Sequence, residues 1–204
     1  MSEISHTGAV NVAYSHFPVG ELWEPGFERK ESKPDFRSDK PVIVVPGQIV
    51  MRTRVQEHTA LVVLALSHRQ NEGPGETWTL LASEHYGPVY TGRMAVFDTM
   101  NGPAKPAEAP IEVFGRLSEP GEASLALDPS RTYGVQAWAQ GRADSRERFE
   151  AASRRDEDGL HGWYEAYAIV FTPSGRQTPP APALPVSRRE QLAARHGKPP
   201  LGMR

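Results

Sequence analysis

The 204-residue sequence contains no cysteine. This absence excludes disulfide scaffolds, thiol nucleophiles and thiolate metal sites. The sequence also lacks a run of about 18 apolar residues, the length that a membrane-spanning helix needs. Its opening residues, "MSEISHTGAV", lack the basic region and apolar stretch that mark a signal peptide. We therefore expect a cytoplasmic protein without a membrane segment.

Motifs that would indicate catalysis are also missing. The sequence has no G-x-S-x-G motif, no phosphate-binding loop and no dinucleotide fingerprint after a strand. Its seven histidines form neither an H-x-H nor an H-x-x-x-H pair. Basic residues interleaved with aromatic residues, the pattern of single-strand nucleic-acid binding, do not occur outside the C-terminal region. We expect no catalytic residues, no metal, no cofactor and no nucleic-acid partner.

Proline and glycine are plentiful, with 19 and 18 residues, which suits short strands separated by turns. Apolar residues alternate with polar ones in "RTYGVQAWAQGR" (131–142) and "GWYEAYAIVFTP" (162–173). The run "TALVVLALSH" (59–68) is almost continuously apolar, as expected for a strand covered on both faces. These patterns predict an all-β fold, an antiparallel β-sandwich of about eight or nine strands.

One short surface helix is predicted within "DSRERFEAASRRDEDG" (144–159). Asp144 and Glu147 have the spacing of a capping box at a helix N-terminus. Few apolar residues follow, so the helix should lie on the surface with Phe149 turned toward the domain.

The C-terminal composition differs from that of the rest of the chain. Five prolines fall within "PSGRQTPPAPALPV" (173–186), which predicts an extended linker. We therefore divide the sequence into a β-sandwich domain (1–172), a proline-rich linker (173–186) and a basic tail (187–204).

The tail itself carries the signals of a second short helix over 188–196. Ser187 and Glu190 have capping-box spacing, and Gly197 marks the end. Such a helix is too short to be stable alone in water. We expect it to order on contact with this domain, with a neighbouring subunit or with a partner protein; a disordered solubility tail is the alternative.

Charge is distributed unevenly. Residues 174–204 contain six basic residues and one acidic residue, whereas the remainder contains 17 basic and 24 acidic residues. This pattern is typical either of an ordinary solvated surface or of an acidic face that binds a basic protein. The residues expected at a protein interface are those of the acidic stretch and of the tail: Asp156, Glu157, Asp158, Arg188, Arg189, Leu192 and Arg195.

Four segments together resemble the competence protein J family, small bacterial β-domains known as inhibitors of a DNA-entry nuclease. They are "VAYSHFPV" (12–19), "GQIVMRTRVQEHTALVVLALS" (47–67), "ASLALDPSRTYGVQAWAQ" (123–140) and "GWYEAYAIVF" (162–171). The resemblance covers about residues 10–172 and leaves out the linker and the tail. It implies a β-sandwich that works by binding, without catalytic residues.

Two functions follow as hypotheses. The first is a non-enzymatic binding module, an inhibitor or immunity-type protein that acts on a nuclease or another basic partner. The second is a small-ligand-binding protein or enzyme with a pocket between the sheets. The residues that would build such a pocket are His68, Glu84, His85, Trp138 and Glu165.

The stretch "VAYSHFPV" poses its own question, because His16 lies between a serine and a phenylalanine. Adjacent residues of a strand point to opposite faces, so this motif offers the histidine no second chemical group. We predict that His16 is structural and ends the first strand, that Tyr14 and Phe17 pack on or near the core, and that Pro18 ends the ladder pairing.

Overall fold

Two β-sheets packed face to face dominate the computed structural model, which describes residues 3–22, 33–69, 73–100, 102–154 and 163–180. Seven strands form the first sheet: β1 (Glu3–Ile4), β2 (Gly8–Val12), β6 (His58–Leu66), β7 (Thr79–Tyr86), β9 (Lys105–Pro106), β13 (Arg131–Gln140) and β14 (Trp163–Arg176). Five strands form the second: β3 (His16–Glu21), β4 (Val42–Val45), β5 (Gln48–Arg52), β8 (Arg93–Val96) and β12 (Ser124–Ala126). The hairpin of β10 (Ile111–Val113) and β11 (Arg116–Ser118) stands apart from both sheets. The all-β prediction is confirmed.

The strand order shows how the sheets are assembled. The larger sheet runs β7-β13-β14-β6-β2-β9, with β1 also paired to β6, and the smaller runs β12-β8-β3-β5-β4. The central neighbours β14 and β6 are parallel, whereas the other named strand pairs are antiparallel. A parallel pair needs a long crossover. That connection runs through the strands β7 to β13 and a short helix at Ser145–Arg154.

The main core lies between the two sheets. Phe17 of the smaller sheet meets Tyr167 of the larger one edge to face, with ring centroids 5.3 Å apart, and both side chains are fully buried. A second cluster covers the outer face of β6 and β14, where Leu61 and Ala168 pack under Val113 of the β10–β11 hairpin. The prediction of a strand covered on both faces at 59–68 is therefore confirmed.

The predicted surface helix is present as α1 (Ser145–Arg154). The Asp144 carbonyl accepts the first helical hydrogen bond from the Arg148 amide at 3.0 Å, and the Asp144 carboxylate lies 3.3 Å from Nε of Arg148. Phe149 packs against Tyr164 of β14, with ring centroids 5.6 Å apart. The helix thus lies against the start of the last strand.

Three expectations for "VAYSHFPV" are wrong, although Phe17 is in the core as predicted. His16 does not end the first strand, which stops at Val12, but begins β3. Tyr14 is 69% exposed, because it falls in the turn between β2 and β3 and not on a strand face. Pro18 does not end the pairing but lies inside β3 opposite Val50. Its carbonyl still accepts a hydrogen bond from the Phe97 amide at 3.0 Å, since proline lacks only the donor.

The last strand continues to Arg176, four residues beyond the predicted end of the domain. Gln177 then donates from its backbone to the Ser130 carbonyl and from its side chain to the carbonyls of Pro88 and Pro129, at 2.8 to 3.0 Å. The predicted helix at 188–196 lies outside the described residues. Within the described residues no helix has the length and apolarity needed to cross a lipid bilayer.

Candidate protein-binding surface

The turn between β2 and β3 has an unusual backbone. Ala13 and His16 bridge across it, and the two residues between them both have positive φ, 58° at Tyr14 and 59° at Ser15. This is the two-residue hairpin geometry that favours asparagine and glycine. A side chain in the left-handed region costs about 1–2 kcal/mol per residue. We call residues 13–16 the hairpin tip.

Contacts from two directions hold the hairpin tip in this conformation. The Thr99 hydroxyl accepts from the Ala13 amide at 2.8 Å and donates toward the carbonyls of His16, at 2.6 Å, and Ala13, at 3.0 Å. On the other side, the Ser15 amide donates to the Gln56 carbonyl at 3.1 Å, and the Ser15 carbonyl accepts from the Thr53 amide at 3.0 Å. The strained turn is thus fixed by its surroundings.

Large apolar side chains project from the same region. Tyr14 is 69% exposed, and Met100, which follows the clamping Thr99, is 78% exposed. Phe36 is 48% exposed and packs on His16, with ring centroids 4.9 Å apart. We call Tyr14, His16, Phe36 and Met100 the tip surface. Aromatic residues and methionine are enriched at protein interfaces, so this composition is typical of a binding surface.

A groove of about 270 Å³ lies on the outer face of the larger sheet. Asn11, Leu61 and Trp163 line it, and Lys105 and Glu108 bring charge to it. Asn11 precedes the hairpin tip by two residues in the chain. This groove lies outside the sandwich, whereas the predicted ligand pocket was placed between the sheets.

A buried carboxylate supports this end of the sandwich. Glu165 is fully buried and accepts hydrogen bonds from the Ser145 hydroxyl at 2.7 Å, from the Arg54 amide at 3.0 Å and from the Tyr167 hydroxyl. Burial, followed by the charge of Glu165, raises the pKa of Tyr167 well above its usual range. We call Arg54, Ser145, Glu165 and Tyr167 the Glu165 network. It ties α1 and the loop after β5 to β14.

His58 begins β6 next to this network and is 2% exposed. Its ring lies 6.3 Å from that of Tyr164. Burial lowers the pKa of His58, while the charge of Glu165 and the Val55 backbone act in the opposite direction. Neither ring nitrogen makes a hydrogen bond of good geometry to any residue that the structure describes.

A second buried carboxylate lies at the opposite end of the sandwich. Glu21 is 1% exposed and accepts from the Tyr86 hydroxyl at 2.7 Å. It also accepts from the backbone amides of Val89, Tyr90 and Gly92 at 2.7 to 2.9 Å. We call this the Glu21 anchor. Sequence reasoning did not single it out, since an acidic residue at a strand end carries no local signal.

The five residues predicted for a ligand pocket are not gathered in one place. Glu84 pairs with Lys40 at 3.4 Å on the edge strand β7, and its neighbour His85 is exposed. His68 is exposed beyond the end of β6.

The remaining two candidates lie elsewhere. Trp138 packs against the outer-face cluster, and Glu165 belongs to the network described above. Among the described residues no group of three histidine or acidic side chains is arranged to hold a metal ion. The residues predicted at a protein interface (Asp156, Glu157, Asp158, Arg188, Arg189, Leu192 and Arg195) lie outside the described residues.

Comparison with known proteins gave similarity in structure only. No protein-family model matches the sequence, and neither does any curated protein sequence. The fold is similar to that of ComJ. That structure, described as an inhibitor of the DNA degrading activity of NucA from Bacillus subtilis, has a TM-score of 0.47 and 12% sequence identity, and the match covers 85% of this chain and 99% of ComJ. A structure described as crocagin biosynthetic gene J has a TM-score of 0.37 and 13% identity, over 83% of this chain and 97% of the other.

Proposed function

We propose that this protein is a non-enzymatic binding module, an inhibitor of a basic protein partner, and that the tip surface is the centre of its interface. One observation carries the proposal. The hairpin tip holds two consecutive non-glycine residues with positive φ and exposes one of them, Tyr14, to solvent. Thr99, Gln56 and Thr53 clamp it in this conformation.

The strain of the tip supports a functional role. Strained backbone persists only where the surroundings determine it, and it concentrates at ligand clamps and binding sites. An exposed tyrosine side chain contributes little to folding stability. It therefore does not offset the free-energy cost of the positive φ at its own backbone. A turn already held in its bound shape loses less entropy on association, which favours affinity.

The chemistry of the tip surface fits a protein partner. Binding energy concentrates in a few aromatic or large apolar residues that become desolvated at the interface centre. Tyr14, Phe36 and Met100 supply such side chains on neighbouring loops.

Charge supports a basic partner. Residues 1–173 carry 17 basic and 24 acidic side chains. An acidic body accelerates association with a basic protein and excludes acidic competitors. The competence protein J resemblance implies a nuclease as the target, and a protein that binds DNA phosphates presents a basic face. We also propose that the acidic stretch Asp156–Asp158 and the basic tail contact the partner. The cytoplasmic location remains a prediction from the sequence.

The test begins with capture of the partner by the full-length protein from native cytoplasm, followed by its identification and separate purification. A 1:1 complex is expected, and a nuclease partner should lose DNA-degrading activity at equal stoichiometry. Failure to recover any specific protein in stoichiometric amount would contradict the proposal.

The two turn residues provide a matched pair of variants. Tyr14→Gly relieves positive-φ strain, so it should stabilise the fold by about 1 kcal/mol. It also removes the exposed aromatic ring, so it should weaken partner binding by about 30-fold, equivalent to about 2 kcal/mol. Ser15→Gly relieves the same strain but keeps Tyr14, and should leave binding within a few-fold. Equal binding by both variants would show that Tyr14 is not in the interface.

A further inference from the structure

The backbone that clamps the hairpin tip leads directly into a buried histidine. Gln56, whose carbonyl accepts from the Ser15 amide, precedes His58 by two residues. His58 also pairs with Val12 in the β2–β6 ladder, one residue before the tip begins. His58 is therefore connected through a short stretch of backbone to the clamp on one side of the tip.

His58 is poorly placed to carry a positive charge. Its side chain is 2% exposed, and neither ring nitrogen makes a hydrogen bond of good geometry to a described residue; the Val55 backbone is the one hydrogen-bonding group that acts to raise its pKa. A protonated ring has two N–H donors, and each buried donor needs an acceptor. The nearby anion is Glu165, but its oxygens already accept from Ser145, Tyr167 and the Arg54 amide.

The other charged groups around His58 offer no alternative acceptor. Arg148 of α1 lies over the Tyr164 ring at 5.8 Å. Arg142, at the end of β13, donates to the Arg52 carbonyl at 3.2 Å, and the Arg54 side chain donates to the Ala143 carbonyl at 3.0 Å. Glu57 is exposed, and His16 belongs to the tip surface itself.

We infer that His58 is a pH-sensitive switch that loosens the hairpin tip, and with it partner binding, when the medium is acidified. The binding part of this inference rests on the proposed function. Protonation forces the ring either toward Glu165, at the expense of the Glu165 network, or out to water. Both movements withdraw the Gln56 carbonyl and the Thr53 amide from Ser15.

The expected size follows from linkage. Burial lowers the pKa of His58 in the folded state, so an opened state, in which the ring is hydrated and has its ordinary pKa of 6.5, binds the proton more readily. Between pH 7.5 and pH 5.5 the opened state therefore gains up to about tenfold in population relative to the closed state. The closed tip is therefore most stable at pH values above the ordinary histidine pKa of 6.5, and it loses this stability as the pH falls below 6.5.

Amide hydrogen exchange on the free protein tests the switch without any partner. Protection factors of the Ser15 and Thr53 amides, corrected for the intrinsic pH dependence of exchange, should fall about tenfold from pH 7.5 to pH 5.5. His58→Leu, which fills the site with an apolar side chain of similar size, should keep protection constant across this range. Unchanged protection in the wild type, or an equal fall in His58→Leu, would overturn the inference.

Two histidine controls separate His58 from its neighbours. His68→Leu changes an exposed histidine beyond β6, and His16→Gln removes the imidazole of the tip itself. Both should retain the tenfold fall, and its disappearance in His16→Gln would assign the switch to His16. If His58→Leu does not fold, the ring resonances of wild-type His58 should titrate together with the Ser15 amide; separate midpoints would refute the coupling.

Once a partner is identified, its dissociation constant should rise about tenfold over the same pH interval for the wild type and stay constant for His58→Leu. If amide protection falls with pH but the affinity for the partner does not change, then His58 controls the tip structure without controlling binding. A protein with no partner at all would refute the proposed function and leave the exchange result unaffected.

Discussion

The Glu21 anchor gives the sharpest test of how the fold is stabilised. The variant Glu21→Gln keeps the size of the side chain but replaces one acceptor oxygen with an NH₂ donor. Oε1 accepts from Tyr86 and Val89, whereas Oε2 accepts from Tyr90 and Gly92. Whichever end the new NH₂ group occupies, it faces two donors.

The magnitude follows from these contacts. Two donors lose their acceptor, and each unsatisfied buried group costs about 1–3 kcal/mol. The two hydrogen bonds that remain lose their charge assistance, which roughly halves their strength. We expect Glu21→Gln to lower the free energy of unfolding by about 3–5 kcal/mol. For a chain of this size, each kcal/mol lowers the Tm by about 2–4 °C.

Urea unfolding followed by tryptophan fluorescence and circular dichroism measures this change, and coincident transitions check that unfolding is two-state. Glu84→Gln is the control, because Glu84 is partly exposed and pairs with exposed Lys40. It should cost less than about 1 kcal/mol. A Glu21→Gln protein within about 1 kcal/mol of the wild type would refute the interpretation of Glu21 as an anchor.

Three further predictions follow. Thr99→Val keeps the shape of the clamping side chain but removes its hydroxyl, and should cost about 1–3 kcal/mol by denaturation and increase amide exchange at residues 13–16. Tyr167→Phe should lower stability by about 1–2 kcal/mol at neutral pH. Because the pKa of Tyr167 is raised in the folded state, wild-type stability should fall as the pH rises above about 10, and this fall should be smaller in Tyr167→Phe. Truncation after Pro180 keeps all of β14 and should leave a cooperative thermal transition; loss of that transition would place the tail in the core.

The sequence by itself determined the class of the fold and several of its parts. Strands 131–142 and 162–173 follow from alternation, since period-two patterns bury one face of a sheet. The apolar run at 59–68 predicted a strand whose two faces are both covered. The capping-box spacing of Asp144 and Glu147 predicted where α1 begins. These features are local, so a short stretch of residues contains the whole signal.

Tertiary structure alone decided how the strands are arranged. β6 and β14 lie side by side and parallel, although nearly 100 residues separate them. No turn between the two strands sets their direction, which depends on how the intervening strands pack. The described residues form 14 strands, more than the eight or nine predicted, because strands of two residues such as β1 and β9 are too short to show alternation.

The candidate site depended most on tertiary structure. "VAYSHFPV" attracted attention in the sequence, but nothing local shows that Tyr14 is turned to solvent. The conformation of the hairpin tip is fixed in part by Thr99, whose hydroxyl hydrogen-bonds to Ala13 although the two residues are 86 positions apart in the sequence. The Glu165 network likewise includes a contact between residues 111 positions apart, and the Glu21 anchor one between residues 65 positions apart. A buried carboxylate is stable only where distant donors converge on it, and that convergence exists only once the chain has folded.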